Sequence, residues 1–393
     1  MTKIEFLDLG KQPITNNFLD TQNPKNEFFY DLKVVFDQES KLVSLKNFVP
    51  PEKMFNEKYA HRASMSKTMQ LAYKNLSVNL KKNFKSDSVL EIGSNDGVFL
   101  KNFNVQKVVG VEPCKNLAEI TNALNIKTYD KFWNLKLSKE ILKDHGKFDL
   151  IYSANTISHI HDLKETISAI ENILDKNGIF IIEDPSLLEV LKKNSYDQFY
   201  DEHAYVFSAI SISNLLKSTN MEIFDIEKLA THGGSNRYYI KKIGGNQPTK
   251  ESVIKILNEE KEFGVDNLES YKKFSSNVKK SKEDLFKIFE KIKKNKNKVI
   301  GYGATYKSST VLNYCGLNTD FIEFFIDTTE NKQGKFTPGT HIPIKKPTQD
   351  TMKNIDYAYL GAWNFKNEIF EKEKEFISKG GKFITHVPKP MII

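Results

Sequence analysis

Five stretches of this chain carry residue types that do chemistry at useful spacing. The first is Val89-Leu90-Glu91-Ile92-Gly93-Ser94-Asn95-Asp96-Gly97. An apolar run ends in a polar turn framed by glycines, where backbone can come close to a bulky ligand. A second apolar run, 107–111, leads into Glu112-Pro113. Glu112 lies about 20 residues after Glu91, where an acid at a strand tip can hold both hydroxyls of a ribose. The form E-x-G-x-x-x-G, rather than G-x-G-x-x-G, points to S-adenosylmethionine (SAM) more than to NAD. Gly93, Asn95 and Gly97 would admit the methionine portion, Glu91 or Asp96 would pair with its ammonium or sulfonium side, and Glu112-Pro113 would meet the ribose. Asn155 is expected at the carboxyl edge of the sheet, where ligands bind in such folds. Phe132 and Trp133 either flank adenine or belong to the core.

The second stretch, Tyr196 to Phe207, holds Tyr200, Glu202 and His203 within four residues. Histidine titrates near neutrality and suits a general base, and a nearby carboxylate can orient its ring. The bland alternative is a polar loop whose histidine caps a helix. In the third stretch, 155–163, His159 and His161 lack a third ligand at sensible spacing, so a metal is poorly supported. His159 is expected to face the site, and His161-Asp162 to open a helix. The fourth stretch is His232-Gly233-Gly234-Ser235-Asn236-Arg237. Its His232, Ser235 and Arg237 suit phosphate or sugar hydroxyls, or else form a hairpin turn with Arg at its rim. The fifth, 300–310, reads as strand, glycine turn and helix, placing Lys307 to meet a phosphate at a helix N-terminus. It matches neither a P-loop nor an NAD turn in full.

These stretches need elements to position them. Strands are predicted at 88–92, 107–111, 126–129, 148–153 and 178–183 with helices between, hence a doubly wound, mostly parallel sheet. An antiparallel pair, 221–229 and 236–242, closes its edge. Residues 1 to about 75 read as irregular, with a hairpin around 32–45, and a helix runs from 67 to about 83. Residues 249–297 form one or two long helices. A second α/β block follows, with strands at 298–302, 321–326, 356–360 and 381–387 and helices at 306–313 and 364–378. The expected fold class is α/β in three parts: a small N-terminal domain (1–75), a central Rossmann-like SAM domain (76–245), and a helical linker with a second Rossmann-like domain (246–393).

Composition narrows the classes. A chain of 393 residues exceeds one ordinary core, and 39% hydrophobic residues suffice to bury several. No run approaches a membrane span, and the N-terminus lacks signal-peptide regions. Cys114 and Cys315 stand far apart, so neither a disulfide framework nor a cysteine zinc site is visible. A cytoplasmic location fits. The charge of +8 comes largely from Lys-rich stretches such as 291–298, read as solvated helix ends. No basic stripe interleaved with aromatics suggests nucleic acid.

With these pieces in order, the chain resembles the SAM-dependent sugar C-methyltransferases of deoxysugar pathways, nearly end to end. The likeness runs through Leu7-Asp8-Leu9-Gly10-Lys11-Gln12-Pro13, Val49-Pro50-Pro51-Glu52-Lys53-Met54-Phe55, Glu91 to Gly97, Asn155 with His159, and Tyr200-Asp201-Glu202-His203. It continues with His232-Gly233-Gly234-Ser235, Gly301-Tyr302-Gly303-Ala304, Lys332-Gln333-Gly334, Pro338 to Pro343 and Ala362-Trp363-Asn364-Phe365. The resemblance implies a nucleotide-diphosphate keto sugar as partner, deprotonation beside the carbonyl, and methylation of that carbon. It makes His203 the base, has Tyr200 and Glu202 orient it or the sugar, and leaves His159 as a second candidate. By the same likeness Tyr59, His61, His232, Ser235, Arg237, Tyr302, Lys307 and Asn364 would hold the substrate. Zinc-binding relatives carry paired cysteines where this chain has Phe36-Asp37-Gln38-Glu39-Ser40, so no zinc is expected. His61 stands in the second place of a Tyr-x-Tyr, and the turn Tyr306-Lys307-Ser308-Ser309 replaces a small-residue version. The rival readings are sugar O-methylation on the same fold, an NAD-dependent sugar oxidoreductase using the turn 301–303, and a non-catalytic sugar-binding protein. A monomer or homodimer is expected, with no membrane partner.

Overall fold

Residues 3–13 are strand, where the sequence reads as irregular. The computed structural model describes residues 2–22, 24–57, 59 and 61–393. In it β1 (Lys3–Pro13) pairs antiparallel with β2 (Phe29–Asp37), and β2 with β3 (Val43–Leu45). The register of β1 slips between Glu5 and Leu7 and again between Asp8 and Lys11, and Gly10 has φ +72°. Those bulges break the two-residue alternation that would announce a strand. The hairpin expected around 32–45 is β2–β3.

The central sheet has the strands read from the sequence, although between the first two of them the chain forms only the 3₁₀ turn Leu100–Asn102 where a helix is expected. The strands β4 (Ser88–Ile92), β5 (Lys107–Val111), β6 (Lys127–Tyr129), β7 (Phe148–Ala154) and β8 (Leu174–Pro185) run parallel. Every residue of β4 is buried, as expected of a strand covered by helices on both faces. The helix Lys67–Asn83 is capped by Ser66, and Asp162 caps Leu163–Ile173 by accepting from the Glu165 N–H, so His161-Asp162 does open a helix.

The short β9 (Tyr205–Val206), directly after His203, joins the N-terminal sheet as its fourth strand beside β3. The antiparallel pair β10 (Met221–Leu229) and β11 (Ser235–Lys242) closes the central edge against β8. The full order β10-β11-β8-β7-β4-β5-β6 reverses direction at β4. Ligands bind at such a switch point, beyond the carboxyl ends of the strands.

After the helices Glu251–Phe263 and Leu268–Lys294 comes the second block. Its strands are β12 (Val299–Tyr302), β13 (Phe325–Ile326), β14 (Ile344–Lys345), β15 (Tyr357–Leu360), β16 (Lys382–Thr385) and β17 (Met391–Ile392), in the order β14-β13-β12-β15-β16-β17. One apolar cluster runs from Phe6 and Phe36 of the N-terminal sheet through Phe199 and Tyr271 to Phe325 and Tyr359. The N-terminal sheet and the C-terminal block thus share a core, built against the long helix Leu268–Lys294.

Candidate functional site

A cavity of about 660 Å³ opens beyond β4, lined by all three parts of the chain. Its floor is the glycine turn. Gly93 has φ +77°, and a Cβ there would lie 2.1 Å from Thr156 Oγ1, so both conformation and space require glycine. Glu112 holds the turn: Oε2 accepts from the Asn95 N–H and Oε1 from the Cys114 N–H, each at 2.9 Å. Glu91 is buried in the wall with Oε2 unpaired, and Ser94 Oγ is unpaired beside it. Burial, then the charges of Glu112 and Asp96, push the Glu91 carboxyl well above the usual range. A cation placed here would relieve both effects, so the donor set fits the sulfonium and ammonium of SAM. Pro113, Asn155, Phe132 and Trp133 line the same cavity. Trp133 belongs to the core as well, donating Nε1–H to the Thr166 carbonyl at 3.4 Å.

Asp96 and Gly97 do not line the cavity. Asp96 Oδ2 accepts from Ser64 Oγ at 2.5 Å and lies 3.4 Å from Arg62 Nε, so its carboxylate is spent on holding residues 62–64. Asn95 works on the same strap while still facing the cavity: its Oδ1 accepts from the Ala63 N–H, and its Nδ2 donates to the His61 carbonyl. Gly97 packs against Thr121, where a Cβ would lie 2.8 Å from Cγ2. The strap carries His61 and Ala63 into the cavity wall.

Tyr200, Glu202, His203 and His159 line the same cavity, the His203 ring lying 4.1 Å from Tyr200 and 5.4 Å from His159. His203 Nδ1 lies 2.7 Å from the Gln198 carbonyl, and Nε2 lies 2.8 Å from Tyr200 Oη. A carbonyl cannot donate, so Nδ1 carries the proton and Nε2 presents its lone pair to the Tyr200 hydroxyl. Burial, then the adjacent His159 ring, holds the His203 imidazole well below the usual histidine range, hence neutral. Burial alone pushes His159 down to about 3. Glu202 accepts from Tyr59 Oη at 3.3 Å, and among the described residues its Oε1 is left without a hydrogen-bond partner. Burial, then the charge of Asp201, hold its carboxyl above the usual range. Asp201 itself accepts from the Thr15 N–H and hydroxyl at 3.0 and 2.7 Å, tying this loop to the N-terminal part.

Of the residues expected to hold a substrate, Tyr59, His61, His232, Lys307 and Asn364 line the cavity. Lys307 opens the helix Tyr306–Cys315, whose Thr305 and Ser308 form a reciprocal cap. Burial lowers its ammonium to about 8. Lys332 also reaches the cavity and was not singled out from sequence by chemistry. Burial lowers it too, and Asp327 lies 3.6 Å away. Three residues expected here lie elsewhere. Ser235 donates to the Thr231 carbonyl inside its own turn. Arg237 pairs with Glu183 at 2.8 Å and Glu227 at 2.7 Å across neighbouring strands. Tyr302 donates to Glu373 Oε1 at 2.7 Å within the C-terminal block. Each is paired within its own part of the chain.

The turn 301–303 offers little to NAD. Asp327, the acid at the end of β13, already accepts from the Ala304 N–H at 2.9 Å and the Thr329 N–H at 2.8 Å. Gly301 and Gly303 are required by packing, against the Phe325 ring and Ala362.

Among known proteins, three family profiles match the chain. They are a putative zinc binding domain over 1–55, a methyltransferase domain over 59–226, and a C-methyltransferase C-terminal domain over 230–388. Residues 1–55 contain neither cysteine nor histidine, so the donor chemistry for zinc is missing from this copy of that domain. Among the described residues no group of three or more His, Cys, Asp or Glu could hold a metal, and no helix is long and apolar enough to cross a membrane. The chain is 27% identical to a ubiquinone biosynthesis O-methyltransferase of Pelagibacter ubique, over 45% of this chain and 72% of that one. A SAM-dependent methyltransferase of Thermotoga maritima, titled a possible histamine N-methyltransferase, overlays at TM-score 0.34 and 21% identity, covering 44% of this chain and 89% of its own. The C-methyltransferase NovU of Streptomyces niveus is 31% identical over 99% of this chain and 94% of its own length. The glycine turn at the switch point of the sheet and a full-length match of that order converge: the chain belongs to the SAM-dependent C-methyltransferase family.

Proposed function

We propose that the protein methylates a nucleotide-linked keto sugar at the carbon beside the ketone, with His203 as general base. The observation that carries this reading is the neutral His203 with its lone pair at Nε2, in one cavity with the glycine turn and with Lys307 and Lys332. Two lysines in the lining, Lys307 buried and Lys332 partly so, favour an acceptor bearing a diphosphate. Glu91, Ser94, Asn95, Glu112 and Asn155 would hold SAM, which when bound supplies an electrophilic methyl group for a carbon nucleophile.

The residues of this chain carry the proton chemistry. His203 Nε2 takes the proton from the carbon beside the carbonyl, and Nδ1 keeps its own on the Gln198 carbonyl. The C–H electron pair becomes the enolate double bond, and the carbonyl oxygen gains the charge. Tyr200, released from Nε2, donates its O–H to that oxygen. Glu202, its carboxyl held protonated by burial, is a second donor for the same oxygen.

The test uses an acceptor deuterated beside the ketone, read by mass spectrometry. Loss of deuterium in the methylated product is expected, and its retention would indicate O-methylation. His203→Ala is expected to cut turnover by ~10²-fold or more, with calorimetric affinity for the demethylated donor unchanged. Wild-type turnover in that variant would remove His203 from the role.

A further inference from the structure

Asp197 is fully buried at the junction between the catalytic loop and the C-terminal block. The Trp363 indole donates Nε1–H to its Oδ2 at 2.6 Å. His386 Nε2 sits 3.4 Å from the same oxygen, and its Nδ1 lies 3.1 Å from Tyr359 Oη. The next residue, Gln198, carries the carbonyl that receives His203 Nδ1–H, so Asp197 and the imidazole are linked through a single peptide unit. The Gln198 side chain donates to the His232 carbonyl at 2.6 Å. His232 is itself held at φ +55°, a left-handed conformation that a non-glycine residue keeps only when its surroundings impose it. Gly233, which follows, lies against the indole so closely that a Cβ would be 2.3 Å from Trp363 Cη2. Trp363 therefore touches both loops that flank His203, and it does so from the C-terminal block rather than from the cavity lining.

We propose that Trp363 is a positioning residue: by clamping Asp197 and packing on Gly233 it fixes the Gln198 carbonyl, and through it the orientation and tautomer of His203. The C-terminal block thereby sets the geometry of a group that belongs to the central part of the chain. The meaning of that geometry for catalysis rests on the proposed role of His203, but the geometry can be read without substrate.

Nitrogen-15 spectra of histidine-labelled protein report ring tautomers directly, with His203→Ala to assign the signal. Wild-type His203 is expected as one Nδ1-protonated tautomer. Trp363→Phe keeps an aromatic ring and removes the donor. It is expected to give a tautomer mixture and a kcat lower by roughly 10–100-fold, with acceptor KM and affinity for S-adenosylhomocysteine close to wild type. Gly233→Ala crowds the indole from its other side and is expected to give the same His203 signature, so it decides the matter alone if Trp363→Phe does not fold. An unchanged His203 tautomer in a folded variant overturns the proposal. A tautomer mixture with wild-type kcat would leave the positioning role standing and remove His203 as the base.

Discussion

Lys307 is a cavity side chain whose charge changes close to neutral pH. Its ammonium is buried, which lowers it to about 8, and Asp197 only partly restores it. Below that pH it is a cation without a carboxylate in salt-bridge contact; above it, a neutral amine. If it grips a diphosphate, affinity for a probe such as UDP should be full below about 8 and decline as pH rises further. Lys307→Gln should lower affinity about tenfold or more at pH 7 and flatten the pH dependence, as read by titration calorimetry. Candidate residues were legible where type alone suggests them: a histidine beside a tyrosine and an acid in Tyr200-Asp201-Glu202-His203 invites an acid–base reading wherever it lands. Asp96 shows the opposite case. Its type suits a cationic ligand, yet Ser64 and Arg62 claim it, and nothing in the local sequence announces partners thirty residues away.

Asp184 belongs to the scale of elements, because it fastens the end of β8 to the turn Ile157–His159. Its Oδ1 accepts from Ser158 Oγ at 2.6 Å, and Oδ2 is unpaired. Burial pushes the carboxyl up to about 8 from 3.8. A raised carboxyl favours folding while it is protonated, so this contribution is whole below about 4 and is lost as pH rises toward about 8. Glu260, pushed up to about 7 by burial, acts with the same sign. Asp184→Asn keeps the Ser158 acceptor and places a neutral donor at the other position. It should raise stability at pH 8 by on the order of 1–3 kcal/mol and reduce the pH slope without abolishing it, measured by urea denaturation at pH 5 and 8. Elements of the central sheet were readable because β4, β5 and β7 are short, apolar and bounded by turns. β1 was not, because two register slips scramble its alternation.

For the whole molecule, the decisive packing is the core shared by the N-terminal sheet and the C-terminal block. The Phe6 ring lies 4.8 Å from Tyr271 and 6.4 Å from Phe199, and Phe36 stacks on Tyr271 at 4.4 Å. Phe199 stands in the loop that carries His203, so the sheet that begins the chain steadies that loop. Phe6→Ala should cost about 3 kcal/mol in denaturant unfolding and lower kcat more than it changes affinity for S-adenosylhomocysteine.

By itself the sequence determined what depends on near neighbours. The strand and glycine turn of 88–97, the acid at 112, the alternation that predicts a doubly wound sheet and the grouping of Tyr200, Glu202 and His203 all follow from spacing within one or two elements, whereas the helix expected after the glycine turn is only the 3₁₀ turn Leu100–Asn102. Tertiary structure alone decided which polar groups remain free for a ligand. It spent Asp96 on the strap, Arg237 on Glu183, and Tyr302 on Glu373, while it delivered Lys332 from a distant turn into the cavity and set Trp363 behind His203. The reason is physical: a buried polar group must be paired, its partner is often far along the chain, and only the packed fold brings the two together.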